Sequence, residues 1–231
     1  MGVARYAAYW TPDPHHPLWQ AGCEWLGRDA LSGRLSASPR PHTQEPRRYG
    51  FHATLKAPMA LCAGATEQDF LQRLADLAAR HVAFAMPPLE VSTLRGFVAL
   101  RPSVQIQPTH PLRQLADACV RDLDSLRRPP TAEELDRRLQ SMNFDSEERA
   151  NIEQVGYAFA FDKWRFHMTL SDSFGCSEPD RQQRDRLIEE AREHFLPALS
   201  APLECTGVSL FVEPGPGRPF VLAGRVPLAG R

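Results

Sequence analysis

The sequence predicts an α+β fold: two pseudo-symmetric lobes, each a small, mainly antiparallel sheet with helices, facing one another across a central cleft. Three observations predict it. The two halves of the 231-residue chain share matching pieces in the same order, apolar runs of strand length alternate with helix-period stretches, and two runs near the C-terminus flank a turn-rich connection.

Tyr6 to Trp10 is a short apolar run followed by His16-Pro17-Leu18-Trp19-Gln20, and Val104 to Gln107 is followed by His110-Pro111-Leu112-Arg113-Gln114. Each pair reads as a strand and then a helix, because proline suits a first helical turn. Arg48-Tyr49-Gly50-Phe51-His52-Ala53-Thr54-Leu55 next matches Lys163-Trp164-Arg165-Phe166-His167-Met168-Thr169-Leu170, the closest correspondence in the chain. A helix-period stretch follows each: Thr66 to His81 with Phe70, Leu71, Leu74, Leu77 and Ala78, and Pro179 to Phe195 with Leu187, Ile188, Ala191 and Phe195. Leu89 to Leu94 with Phe97 to Leu100, and Thr206 to Val212 with Phe220 to Val226, then read as strand pairs, the second joined through Glu213-Pro214-Gly215-Pro216-Gly217-Arg218. The expected organisation is one bilobal domain over 1–231, with lobe one at about 1–102 and lobe two at about 103–231. The second half carries extra chain at about 127–154. There Pro130-Thr131-Ala132-Glu133-Glu134 and Asp145-Ser146-Glu147-Glu148 read as two helix starts, a helical insertion placed to cover the site as a lid.

Composition narrows the function classes. A formal charge of -1 and a pI near 6.7 give no global pull toward DNA or an anionic membrane, so an anionic ligand needs a local site. Cys23, Cys62, Cys119, Cys176 and Cys205 are scattered, odd in number and without Cys-x-x-Cys spacing, the pattern of reduced thiols. The opening Met1-Gly2-Val3-Ala4-Arg5-Tyr6 lacks a signal-peptide or myristoylation pattern, and no long apolar run reads as a membrane span, so the expected location is cytoplasmic. No pair of histidines has helical metal-ligand spacing with a carboxylate, so neither a metal nor a cofactor is expected.

The chemistry sits in the Phe-His-x-Thr-Leu pieces. Residues two apart on a strand face the same side, so His52 and Thr54 point together, as do His167 and Thr169, while Phe51, Ala53 and Leu55 and their counterparts turn to a core. Two imidazoles across a cleft can divide acid and base work on a phosphoester, with threonine hydroxyls and a cation serving the phosphoryl oxygens. By the same alternation Lys56 and Arg165 share the catalytic face, and Arg48 has matching parity nearer the strand end. Tyr49 and Trp164 fall on the opposite parity, from which a bulge or loop releases them for substrate stacking. One His-x-Thr tripeptide carries little information; two, at equivalent places in a repeat, carry much more. The other histidines read blandly: His16 and His110 at helix starts, His81 and His194 near helix ends, His15 and His42 in loops. The basic stretch Arg40, His42, Arg47, Arg48, His52 and Lys56 reads equally as phosphate-attracting or as solvated surface.

Paired His-x-Thr motifs, one per half, resemble the two-histidine (2H) phosphoesterase superfamily. The stretch from Arg48 to Pro58, with Arg165 to Leu170 downstream, resembles its branch of phosphonate-metabolism proteins from bacterial phosphonate operons, over nearly the whole chain. The resemblance implies a metal-independent cytoplasmic enzyme acting on a small cyclic phosphodiester, a phosphoribosyl cyclic phosphate or a 2',3'-cyclic nucleotide end, with an RNA end as another partner. His52, Thr54, His167 and Thr169 carry over from the superfamily motif; Lys56, Arg165 and Tyr49 carry over from the branch only. Gln154-Val155-Gly156-Tyr157-Ala158-Phe159 departs from that branch, where Arg-Trp-Gly-Tyr is typical. The alternative is a non-catalytic nucleotide or RNA-end binding module with the same cleft. Hydrolysis against ligation, the acid and base assignment and the oligomeric state are not legible in the motifs.

Overall fold

A strand with core on one side and a ligand-facing surface on the other needs helices on its core face, and the arrangement supplies them. The computed structural model describes residues 3–230, so the Met1-Gly2 start and Arg231 lie outside the described residues. Its strands are β1 (Arg5–Trp10), β2 (Ala53–Met59), β3 (Phe84–Ala85), β4 (Leu89–Leu94), β5 (Phe97–Pro102), β6 (Met168–Thr169), β7 (Glu204–Cys205), β8 (Gly207–Glu213) and β9 (Val221–Pro227). Its helices are α1 (Pro17–Leu26), α2 (Gln44–Tyr49), α3 (Glu67–Ala78), α4 (Pro111–Leu123), α5 (Ala132–Gln140), α6 (Ser146–Val155) and α7 (Glu178–Leu199). The mixed α+β class is as expected, and nearly every expected element forms within a few residues of its expected bounds.

Seven strands form one antiparallel sheet in the order β4-β5-β6-β2-β1-β8-β9, and β3 pairs with β7 apart from it. This corrects the division at residue 102. The first half's β4 and β5 pair beside the second half's β6, and the second half's β8 and β9 pair beside the first half's β1, so each flank of the sheet is built from both halves. The expected strand at Val104 to Gln107 does not form. The two histidine-bearing segments meet at the centre, where β2 and β6 share a single register pair, Ala53 with Met168, the residues that follow His52 and His167.

Leu18, Trp25, Phe70, Leu74, Leu112, Leu115, Phe195 and the inward residues of β1, β2 and β8 make the main core, with α1, α3, α4 and α7 contributing to it. A smaller cluster of Ala7, Tyr9, Trp19, Phe211 and Phe220 covers part of the other face. The repeat extends to the caps: Nδ1 of His16 and of His110 each accepts the backbone N–H two residues on, Leu18 and Leu112, at 3.1 Å. Both histidines are thus structural N-caps. His194 lies inside α7, which runs past the expected end, and its Nε2 bonds the Ala21 carbonyl at 2.8 Å.

The insertion forms the two expected short helices. Thr131 with Glu134, and Asp145 with Glu148, close reciprocal capping boxes at the starts of α5 and α6.

Candidate active site

The turn into β2 positions His52. Gly50 has φ +86°, a conformation that side-chain-bearing residues rarely adopt, and a Cβ there would stand 2.8 Å from the Ala30 Cβ. The turn sets the Gly50 carbonyl 2.8 Å from His52 Nδ1. His167 repeats the contact, its Nδ1 lying 2.8 Å from the Arg165 carbonyl. A carbonyl only accepts, so Nδ1 carries the proton in both rings, and in each neutral ring Nε2 is left as a lone-pair acceptor. His52 Nε2 is 3.4 Å from the Thr54 hydroxyl.

Aromatic rings fix both imidazoles. His52 stacks on Tyr9 at 3.8 Å between centroids and lies 6.0 Å from Tyr49, which itself stacks on Phe220; His167 lies 5.6 Å from Phe97. Burial lowers His52 to about 4, against a smaller opposing effect of the Gly50 hydrogen bond, and nearby His167 lowers it further. His167 is lowered by burial too, and by Arg101 and Arg95. Without a bound anion both rings are therefore neutral at pH 7.

A cavity of about 480 Å³ opens here, lined by Thr54, His167, Arg101, Arg165, Tyr157 and Trp164 among others. Its aromatic wall continues through Phe97 and Phe159. Burial pushes Tyr157 up to about 12, so its hydroxyl remains a proton-bearing donor at neutral pH. The Trp164 indole donates to the Thr54 carbonyl at 2.9 Å, tying the segment before His167 to the strand after His52.

The structure sets Thr54, His167 and Arg165 in the cavity wall, with His52 beside Thr54 and Tyr49 packed between His52 and Phe220, and places Thr169 on β6 opposite Ala99, where Thr54 on β2 stands opposite Tyr9. It removes two expected residues from this group. Between the pairs Ala8–Lys56 and Tyr9–Thr54 the β1–β2 register slips, so Lys56 shares a side with core-facing Ala8 instead of with Thr54. There it is 2% exposed and bonds Asp124 at 2.6 Å and the Val120 carbonyl at 3.2 Å. Arg48 lies on α2, not on a strand, and its Nη2 bonds the fully buried Glu213 at 2.6 Å. Arg40 is likewise paired, with Glu190. Of the basic stretch, Lys56 and Arg48 are thus taken up by carboxylates within the fold and Arg40 by one at the surface, which matches neither the phosphate-attracting reading nor the solvated-surface one.

Sequence reasoning missed Tyr9, Phe97, Arg95 and Arg101. Arg101 lies at the end of β5, with a guanidinium Nη1 on the Thr93 carbonyl at 3.0 Å and a buried Nε without a partner among the described residues. Arg95 lies over Phe159, 3.7 Å from its centroid, and pairs with Glu148 of α6. No local signal marks these four, because long-range strand pairing brings them in. Tyr157 and Phe159 lie in the segment that departs from the branch pattern, to which the sequence reading gave no role.

Fold and site define an α+β chain whose paired His-x-Thr segments meet at the centre of one sheet, with both Nε2 atoms free of backbone bonds among the described residues. The chain belongs to the DUF1045 family, described as proteins of unknown function, whose model matches residues 54–221. It is 35% identical over 99% of its length to ribose 1,5-bisphosphate phosphokinase PhnN of Janthinobacterium sp. (strain Marseille), and 36% identical over 94% to the protein of that name from Laribacter hongkongensis (strain HLHK9). The chain spans about half the length of these curated relatives, 52% and 50%. Among solved structures it is similar to E. coli LigT complexed with phosphate, at TM-score 0.42 and 13% identity over 99% of both chains. It is also similar to Kluyveromyces marxianus Usb1 with uridine monophosphate, at TM-score 0.37 and 14% identity over 98% of both.

Proposed function

We propose that this chain is a 2H-type phosphoesterase that hydrolyses a small cyclic phosphodiester by two-imidazole acid–base catalysis. The carrying observation is the matched pair of histidines, each with Nδ1 held by a carbonyl 2.8 Å away, that leaves two Nε2 atoms for the ligand on either side of the β2–β6 seam. In this reading His52, the ring most strongly held neutral, takes a proton from the water attacking phosphorus. The bond from phosphorus to the leaving ester oxygen breaks, and protonated His167 gives that oxygen its Nε2 proton, yielding a phosphomonoester and a free hydroxyl. Thr54 and Thr169 donate to non-bridging oxygens, and Arg101 and Arg165 supply the cationic charge first assigned to Lys56. None of these steps needs a metal ion.

The curated relatives support a ribose substrate. Opening ribose 1,2-cyclic phosphate 5-phosphate at the O2 side leaves ribose 1,5-bisphosphate, the compound in the relatives' name. The chain has only two lysines, Lys56 and Lys163, and neither follows a glycine, so it lacks the Gly-x-x-x-x-Gly-Lys phosphate cradle of many kinases. In the relatives the phosphokinase activity then belongs to the other half, with this chain's product passed on to it. A role in phosphonate metabolism and a cytoplasmic location, in keeping with the five unpaired thiols, belong to the same reading.

The test is hydrolysis of ribose 1,2-cyclic phosphate 5-phosphate and of 2',3'-cyclic nucleotides in the presence of a chelator. Turnover is expected to survive chelation and to fall by about 10² to 10⁴ in His52→Ala and in His167→Ala. Unchanged turnover in either variant, or ligand binding without turnover by the folded wild type, overturns the proposal.

A further inference from the structure

Beside the histidine cavity lies a second one, of about 440 Å³, walled by α5 of the insertion, the end of β2 and the Val155–Gly156 segment. Five arginines line it: Arg5, Arg127, Arg128, Arg137 and Arg138. Three are neutralised by carboxylates. Arg5 pairs with Glu213, Arg127 with Asp124, and Arg128 with Glu134 through both carboxylate oxygens. Arg137 and Arg138 have no carboxylate ion pair among the described residues. The Arg138 guanidinium donates to the Gly156 carbonyl at 2.6 Å. Burial lowers Arg138, and Arg127 and Arg5 lower it further, against Glu134. The fold has thus gathered more positive charge than it compensates, in a concave place with ample room for a phosphate group, within a chain of formal charge -1. Isolated surface arginines avoid one another; converging ones await an anion.

The two cavities have walls built from neighbouring residues. Gly156, whose carbonyl Arg138 holds, lines the arginine pocket, while the next residue, Tyr157, lines the histidine cavity. On β2, Ala57 of the arginine pocket is three residues past Thr54 of the histidine cavity, about 10 Å of extended strand. A phosphorylated sugar together with an extended arginine side chain covers that span. The cations at the histidine cavity are placed differently: Arg95 is paired with Glu148, and Arg101 and Arg165 line that cavity, where the proposed reaction uses them.

We infer that the arginine pocket holds a second, non-reacting phosphate of the substrate through Arg137 and Arg138, so that the enzyme selects cyclic phosphodiesters carrying a remote phosphomonoester. The inference rests on reading the histidine cavity as the site of phosphoester cleavage. It assigns the insertion a task beyond covering the site, since α5 carries both uncompensated arginines.

Two measurements test it. Inorganic pyrophosphate is titrated calorimetrically into wild type, the double variant Arg137→Ala/Arg138→Ala, the single variant Arg137→Gln on the exposed surface of α5, and Arg101→Ala, each checked for native circular dichroism. Binding is expected to weaken about tenfold or more in the double variant, and by less in Arg137→Gln. Arg101→Ala is expected to weaken it less than the double variant does. Separately, kcat/KM is compared for ribose 1,2-cyclic phosphate with and without its 5-phosphate. Wild type is expected to prefer the phosphorylated form by about tenfold or more, and the double variant to bring that ratio near one. No pyrophosphate binding by wild type, binding unaffected by the double variant, or a preference that only Arg101→Ala abolishes, overturns the inference. Failure to turn over either substrate counts against the phosphoesterase reading instead, and the titration still judges the pocket.

Discussion

In the proposed reaction Arg101 takes the role expected of Lys56, and the change is measurable. Lys56 is buried against Asp124, with burial lowering its pKa and the Asp124 hydrogen bond opposing that. Lys56→Met should lower the unfolding midpoint by the equivalent of about 1–3 kcal/mol while kcat is retained, because Asp124 keeps Arg127 at 2.8 Å. Arg101→Ala should do the reverse, leaving stability intact and lowering kcat by about 10² to 10³, the cost of losing one preorganised donor at developing charge. The histidines set the pH range. As base, His52 must be neutral, which its value of about 4 allows above that pH. As acid, His167 must be protonated, and its pKa lies below the ordinary 6.5. The kcat/KM profile should therefore peak on the acid side of neutrality, between about 4 and 6.5, and a maximum above pH 7 would reverse or abolish these assignments.

At the scale of elements, Glu213 at the end of β8 joins β1, α2 and the β8–β9 turn. It accepts from Arg5, from Arg48 and, at 3.1 Å, from the Gly217 N–H, with none of its surface exposed. Burial pushes its carboxyl up, but the Arg5 and Arg48 hydrogen bonds more than offset this and hold it below 4.5. Glu213→Gln should cost about 3–5 kcal/mol in chemical denaturation, because two arginines lose their shared counter-charge in a buried place. The sign of the pH dependence follows. Glu213 is depressed, so its stabilisation is full above 4.5 and is lost as pH falls through its folded value. His52 is depressed as well, and the unfolded ring takes up a proton below 6.5, so stability falls again from 6.5 toward about 4, by up to about 3 kcal/mol. Wild type should lose stability steadily on acidification below pH 6.5, and Glu213→Gln should lose less of it below 4.5.

At the scale of the whole molecule, strands exchanged between the halves decide how the chain holds together. β4 and β5 are completed by β6, and β1 is flanked by β8, so neither half contains a closed set of partners. Cutting between residues 102 and 103 should give two pieces that lack native circular dichroism separately and regain it, with activity, when refolded together. A folded 1–102 piece would show the exchange to be dispensable. The lobes expected from the repeat are therefore lobes of sequence, while the sheet's flanks are lobes in space. The near-symmetry survives at the centre, where Tyr9 opposite Thr54 and Ala99 opposite Thr169 occupy equivalent positions with unlike side chains. That difference lets His52 stack on Tyr9 and makes the two histidines inequivalent.

By itself the sequence determined the local elements and the reactive pair. Helix period, strand alternation, proline at first turns and capping residues act over a few neighbours, so α3, α5, α6, α7 and the terminal hairpin stand close to where the pattern puts them, and Phe-His-x-Thr-Leu marks itself by occurring twice. Tertiary structure alone decided which strands are neighbours, that one register slip turns Lys56 away from the histidines, that Arg48 serves Glu213, and that Arg95, Arg101 and Tyr9 complete the site. Those outcomes depend on contacts between residues far apart in the chain, where a one-residue shift in pairing reverses the face of a side chain and leaves no trace in local composition.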